Sequence, residues 1–495
     1  MPRHDHFSTR SIHVGSDPDP TTGAVVPSLS VATTFMQDGV GKLRSGGFEY
    51  SRSANPTRSA LESLLTSLET CPTDTVSEDA RHDISGGESL VFSSGSAATA
   101  AIAHWVTLTE EEGGAGGRDG KGHGGHVLAV NDVYGGTARY LARASRPTGL
   151  EVTFLNMEKA GEQGIREAIR PDTKLIWLEL PTNPLLLVPP VRLISDIVNS
   201  LPSETRPLIL VDTTFLSPFY FTPLIASNGD QHPLADITLS SLSKYSSGHS
   251  DIILGSLTIS PKTNQLRPTL LKGLRFLQNS MGASASPRDC HLLIRSIKTL
   301  SVRMLKHGLN ALRISNWLSI TATKDLNYVE RVRYPGLKSD ESFKYVQDLI
   351  SKNAKKELQF LGWKFPFQHK PSSTTTSSSE NEKQGEVVDD ENSLEYTRNL
   401  GIPFGGMITF AIKNATSEQA EKFCTSLRIP ILAESLGGVE SLVEIPYGMT
   451  HSGLPKETLK ELQITPNLIR LSVGIEDYDD LIEDIEQALK IALSS

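Results

Sequence analysis

From residue 58 to about 297, short apolar runs alternate with stretches whose apolar residues recur at helical spacing. The runs include Val127-Leu-Ala-Val130, Leu175-Ile-Trp-Leu-Glu179, Leu208-Ile-Leu-Val211, Ala235-Asp-Ile-Thr-Leu239 and Ile252-Ile-Leu254. Such alternation predicts an α/β fold, a mostly parallel sheet wrapped by helices. Residues 1–57 differ. They are polar and rich in Pro and Gly, with no helical period before Thr57-Arg-Ser-Ala-Leu-Glu-Ser-Leu-Leu65, and they predict an arm lying across a neighbouring subunit. The stretch from Pro287 to Trp317 is helical in period and leads into a smaller α+β domain, 298–495. The last predicted helix, 479–493, opens acidic, as the helix dipole prefers. Three insertions, 72–88, 111–125 and 369–394, are too polar or Gly-rich to bury much apolar surface. They are expected to be surface loops, the last one disordered.

A chain of 495 residues has room for two or more domains. Its net charge of −9 argues against a nucleic-acid partner held through phosphates. Cys71, Cys290 and Cys424 are widely spaced and follow no ligand spacing, so neither a disulfide framework nor a metal site is expected. The opening Met1-Pro-Arg-His-Asp-His6 lacks the apolar core of a secretory signal, and no apolar run reaches spanning length. A cytoplasmic protein with no membrane contact is the expectation.

Candidate chemistry gathers where strands end. Ser240-Ser-Leu-Ser-Lys244 follows the run 235–239 and delivers hydroxyls and one amine to a single point. The run 208–211 ends at Asp212-Thr-Thr214. Open α/β sheets place their sites at carboxyl strand ends, so an amine, a carboxylate and phosphate-seeking hydroxyls there fit a pyridoxal phosphate site. Taken alone, the six residues Ser240–Tyr245 around Lys244 also fit an ordinary solvated turn. Phe92-Ser-Ser-Gly-Ser-Ala-Ala-Thr99 opens a helical segment and fits either a plain helix cap or a phosphate cradle. Tyr134 follows the run 127–130 and fits either a core position or a ring stacked on a flat ligand. Asn183 ends a further strand at the same rim.

Taken together, these segments resemble the Cys/Met-metabolism family of pyridoxal-phosphate enzymes, from about Ser8 to Leu493. The likeness is carried by Tyr50-Ser-Arg-Ser-Ala-Asn-Pro-Thr57, Ser94-Gly-Ser-Ala97, Val133-Tyr-Gly-Gly-Thr137, Pro181-Thr-Asn-Pro184 and Val211-Asp-Thr-Thr-Phe215. It continues through Ser243-Lys-Tyr-Ser-Ser-Gly-His-Ser-Asp251, Arg275-Phe-Leu-Gln-Asn-Ser280, Ala433-Glu-Ser-Leu-Gly-Gly-Val-Glu-Ser441 and Leu468-Ile-Arg-Leu-Ser-Val-Gly474. The resemblance implies an aspartate-aminotransferase-like fold (fold type I) with a seven-stranded sheet. It divides the chain into an arm (1–57), a cofactor domain (58–297) and a C-terminal domain (298–495). It makes Lys244 the cofactor lysine and proton shuttle, Asp212 the partner of the pyridine nitrogen, and Thr214 its neighbouring hydroxyl. Gly95, Ser96, Ser241 and Ser243 would hold the phosphate, and Tyr134 would stack on the ring. Asn183 would meet the ring oxygen and the substrate, and Arg470 with Ser435 the substrate carboxylate. Tyr50 and Arg52 would act in the site of a neighbouring subunit, in a homotetramer. Thr213, Leu180 and Ser247 depart from the commonest family pattern, at positions with no expected chemistry.

Within the family, Glu434 before Ser435-Leu-Gly-Gly438 resembles γ-lyases and γ-synthases, where an acid can hold a distal ammonium. Gly136 stands where methionine γ-lyases carry a cysteine, and Arg139 adds a distal substrate contact. The expected reaction is γ-elimination of L-cystathionine to L-cysteine, 2-oxobutanoate and ammonia. The alternatives are γ-replacement on an activated homoserine ester by cysteine, and a catalytically silent binding protein.

Overall fold

The computed structural model describes residues 5–44, 46–71, 87–226, 232–367 and 393–494. A hairpin of β1 (Gln37–Gly39) and β2 (Lys42–Leu43) precedes the main sheet. That sheet holds β3 (Glu88–Phe92), β4 (His126–Val130), β5 (Glu151–Leu155), β6 (Thr173–Glu179), β7 (Leu208–Asp212), β8 (Ile237–Ser241) and β9 (Gly255–Ile259). Their order is β3-β9-β8-β7-β6-β4-β5. Only β9 runs against its neighbours; the β4, β5, β6, β7 and β8 pairs are parallel. Every residue of β4, β7 and β9 is buried, as expected of strands covered on both faces. Parallel pairing brings the last residues of β6, β7 and β8 (Glu179, Asp212 and Ser241) to one edge, where open α/β sheets bind ligands.

The helix Pro56–Thr70 shows how the sequence writes this packing. Asn55 caps it by accepting from Thr57 N and Arg58 N at 2.9 and 3.3 Å, and Pro56 supplies a preset first turn. Leu61, Leu64, Leu65 and Leu68 then fall on one stripe and are buried, each contributing about 1.5–3 kcal/mol of burial.

A second sheet follows: β10 (Val329–Arg333), β11 (Met407–Ile412), β12 (Ile431–Leu432), β13 (Leu442–Glu444) and β14 (Leu468–Ser472), in the order β10-β11-β14-β13-β12. Before it, the helical stretch from Pro287 is two helices, Pro287–Ile297 and Leu300–Trp317. After it, the helix Tyr478–Leu493 is capped by the Asp477 side chain and packs on the helix Ser417–Ser426.

Three expectations are corrected. Ile252-Ile-Leu254 is not a strand: β9 begins at Gly255, the first residue able to pair with both Ser241 and Phe92. The arm is not devoid of helix, since Phe7–His13 is helical. Its stability comes from docking rather than period: Phe7 meets the Phe219 ring edge-on at 5.9 Å, and Arg10 Nη1 donates to Cys71 O at 3.1 Å. The 111–125 segment is less a loose surface loop than a folded one, in which Trp105 Nε1 donates to Gly113 O at 2.9 Å. Most of the 72–88 and 369–394 insertions lies outside the described residues. No helix among the described residues is long and apolar enough to cross a membrane.

Candidate active site

Between the carboxyl edge of the main sheet and the second sheet lies a cavity of about 1260 Å³. Lys244, Asp212, Thr214, Gly95, Ser96, Tyr134, Ser241, Ser243, Asn183, Arg470, Ser435, Glu434 and Arg139 all line it. Tyr50 and Arg52 do not. Arg52 lies over the Tyr50 ring at 5.6 Å and donates to Asn279 Oδ1 at 2.9 Å, away from the cavity of its own chain.

Asp212 is the final residue of β7, and its carboxylate Oδ1 accepts from Thr214 N at 2.9 Å and Thr214 Oγ1 at 2.6 Å. Thr214 Oγ1 in turn accepts from Ser241 N at 2.9 Å, which ties the end of β7 to the end of β8. Burial raises the Asp212 carboxyl to about 6. Among the described residues no cation pairs with it, so the pocket favours a ligand that brings a positive N–H to this oxygen pair.

Lys244 sits in the turn after β8, where its Nζ donates to Ser435 Oγ at 2.8 Å. Burial lowers its ammonium, and Arg470 lowers it further, against opposing pulls from Glu444 and Glu434. The loop carrying Ser435 can approach only because Gly437 has φ +76° and no Cβ, which would lie 2.6 Å from Tyr245 N. Ser435 itself is held at φ +121°, a strained backbone for a side-chain-bearing residue.

The helix Gly95–Thr107 points its N-terminus into the same cavity, capped by Ser94 Oγ accepting from Ala97 N at 3.0 Å. A Cβ on Gly95 would stand 3.1 Å from Ser241 Cβ, so a helix dipole and a hydroxyl converge there without intervening bulk. Ser243 Oγ accepts from Leu254 N at 3.0 Å, which leaves its O–H for Leu254 O at 3.3 Å or for a ligand. Tyr134 is 44% exposed and lines the cavity wall.

Arg470, on β14, is 2% exposed. It donates to Asn183 Oδ1 at 3.1 Å and Ser435 O at 2.9 Å, and pairs with Glu444 Oε1 at 2.9 Å. Glu434 and Arg139 stand exposed at the mouth.

Two carboxylates escaped the sequence reading. Glu179, at the end of β6 directly beside Asp212, accepts from Tyr134 N at 2.8 Å; burial, then Asp212, holds its carboxyl far above the usual range. Glu444 partners Arg470. Each is a lone charge in an apolar run (Leu175-Ile-Trp-Leu-Glu-Leu180 and Leu442-Val-Glu-Ile445), and that isolation is the signal of a buried polar partner.

A buried carboxylate awaiting a cationic N–H, a helix N-terminus with hydroxyls, a half-exposed aromatic ring and one desolvated amine fit pyridoxal 5'-phosphate. Among the described residues no group of three or more His, Cys, Asp or Glu is placed to hold a metal ion.

Comparison with known proteins agrees. A profile of the Cys/Met metabolism PLP-dependent enzymes matches residues 8–364 and 387–490. Cystathionine gamma-lyase of Homo sapiens is 36% identical over 493 residues, covering 99% of this chain and 95% of that protein. The crystal structure of cystathionine gamma-lyase from yeast superposes with a TM-score of 0.74 at 34% identity, covering 100% of both chains. Cystathionine gamma synthase from Xanthomonas oryzae pv. oryzae in complex with cystathionine gives 0.74 at 26% identity, covering 99% of both.

Proposed function

The chain belongs to the Cys/Met-metabolism family of pyridoxal-phosphate-dependent enzymes, and from that premise we propose that it cleaves the Cγ–S bond of L-cystathionine. With one water the products are L-cysteine, 2-oxobutanoate and ammonia. The observation that carries this reading is one cavity lined by Lys244, Asp212 and Arg470 with Glu434 at its mouth.

When bound, the cofactor supplies an electron sink for the substrate α-carbon. The residues of this chain do the rest. Lys244 would hold the cofactor aldehyde and, once displaced by the substrate amine, take the α-proton at Nζ. Its lowered ammonium suits that duty, because a general base must be neutral near the working pH. Asp212 would face the pyridine nitrogen, with Thr214 fixing its carboxylate. The amides of Gly95 and Ser96 and the hydroxyls of Ser241 and Ser243 would take the phosphate. Asn183 would meet the ring oxygen. Tyr134 would cover the ring and pass a proton towards the departing sulfur. Arg470 would receive the α-carboxylate beside Ser435. Glu434 and Arg139 would hold the distal ammonium and carboxylate, and so select a long substrate.

Tyr50 and Arg52 are assigned to the phosphate of a neighbouring subunit in a homotetramer. Their place outside their own cavity supports this, as do the exposed Val25, Val31, Met36 and Val40 of the arm. The division into 1–57, 58–297 and 298–495 belongs to the same reading. So does a cytoplasmic setting, supported by three buried cysteines without bridges.

Product analysis with L-cystathionine tests the reaction. Cysteine with 2-oxobutanoate is the expected outcome; homocysteine with pyruvate would overturn it. Faster synthesis of cystathionine from an activated homoserine ester and cysteine than its cleavage would make the protein a synthase.

A further inference from the structure

A second cavity, of about 400 Å³, adjoins the first. It lies between the segment 135–146 and the segment 450–462, with Arg139, Arg143 and Thr450 belonging to both walls. Here the short helix Gly135–Arg139 runs into a wider π turn, Tyr140–Ala144, and Arg139, Arg143 and Arg146 all face the smaller cavity. The arginines are exposed, and among the described residues none is paired with a carboxylate. Arg143 Nη2 donates to the Gly453 carbonyl at 3.5 Å. The wall carries one acid, Glu461, against these guanidinium groups, so its charge is positive. The rest of the lining is largely apolar, with Val133, Ala138, Ala142, Phe154, Leu454 and Leu462 beside the polar Asn131, Thr450 and Thr458.

An apolar floor under a rim of planar, permanently charged donors is complementary to a molecule of two halves. We propose that this cavity binds a small amphipathic anion: an apolar body on the floor and a phosphate, sulfonate or carboxylate group between Arg143 and Arg146. The proposal does not depend on which reaction the larger cavity performs. Arg146 discriminates the two cavities, because it lines the smaller one alone.

Calorimetric titration of the cofactor-loaded enzyme with phenylphosphate tests it, beside inorganic phosphate for the acid alone and benzyl alcohol for the body alone. Phenylphosphate is expected to bind once per chain, at least about 10-fold tighter than either half, and more weakly as salt rises. Arg146→Glu should weaken it by about 10-fold or more, with turnover and melting temperature unchanged. No heat at millimolar probe would overturn the site, and so would equal binding of benzyl alcohol. Full affinity in Arg146→Glu would place the probe in the larger cavity and overturn it as well.

Discussion

Glu444 Oε1 stands 2.9 Å from Arg470 Nη1, directly across from it on the neighbouring strand, with side-chain exposures of 1% and 3%. Thr450 Oγ1 donates to the same carboxylate oxygen at 2.7 Å, while Oε2 is buried with no partner among the described residues. The guanidinium assigned to the substrate carboxylate is therefore neutralised before any substrate arrives. Burial costs that charge less because a carboxylate shares it, and an incoming carboxylate competes with Glu444 for the same fork.

Removing the competitor should move stability and binding in opposite directions. Glu444→Gln keeps the shape but leaves Arg470 buried without a counter-charge, at a cost of about 3–5 kcal/mol. The expected result is a lower melting temperature with a larger stabilisation by saturating glycine than in the unaltered enzyme. Unchanged stability would contradict the buried pair.

Glu434 stands exposed at the mouth, so its alteration should affect reach rather than folding. Glu434→Ala should raise KM for cystathionine by about 10-fold, the scale of one charge-assisted contact, and barely change KM for homoserine. Equal effects on both substrates would exclude a distal-ammonium role.

If Arg52 serves a neighbour's site while Lys244 serves its own, two dead variants should complement each other. Arg52→Ala and Lys244→Ala subunits, dissociated and mixed equally, should regain about a quarter of wild-type activity, since a random pairing completes that fraction of sites. Mixtures as inactive as the parents would place Arg52 elsewhere.

Glu69, which does not line the cavity, offers a pH signature of its own. It is 3% exposed, its Oε2 has no partner among the described residues, and burial raises its carboxyl from 4.5 to about 8. Between those values the folded chain keeps a proton that the unfolded chain has lost. Its contribution is whole below about 4.5 and fades as pH rises to about 8, by roughly 1.4 kcal/mol per pH unit. Glu69→Gln abolishes that loss. The melting temperature of the variant minus that of the wild type should climb from pH 5 to 8 and then level off; a flat difference would show Glu69 already ionised.

Local grammar made much of this readable in advance. The run ending at Asp212 and the hydroxyl-flanked Lys244 each carry their chemistry within a few residues, and strand-end placement brings them together. Arg470 and Ser435 were readable through family resemblance, because nothing in their spacing shows that they meet. Glu444 and Glu179 were missed because their partners lie far along the chain or on a backbone amide, where only folding brings them close. Ile252-Ile-Leu254 reads as a strand because it is a short apolar run; its residues are buried or line the cavity, and neither requires ladder pairing. The helix Phe7–His13 forms by docking on Phe219, which no local period reports.

The central claim is that Lys244 carries the cofactor opposite Asp212 in one cavity. The most direct measurement is the visible absorbance and cystathionine turnover of purified Lys244→Ala beside the unaltered enzyme. The account predicts a yellow wild type, and a variant that loses both its lysine-dependent absorbance band and its turnover. A variant with unchanged colour and normal activity would contradict it.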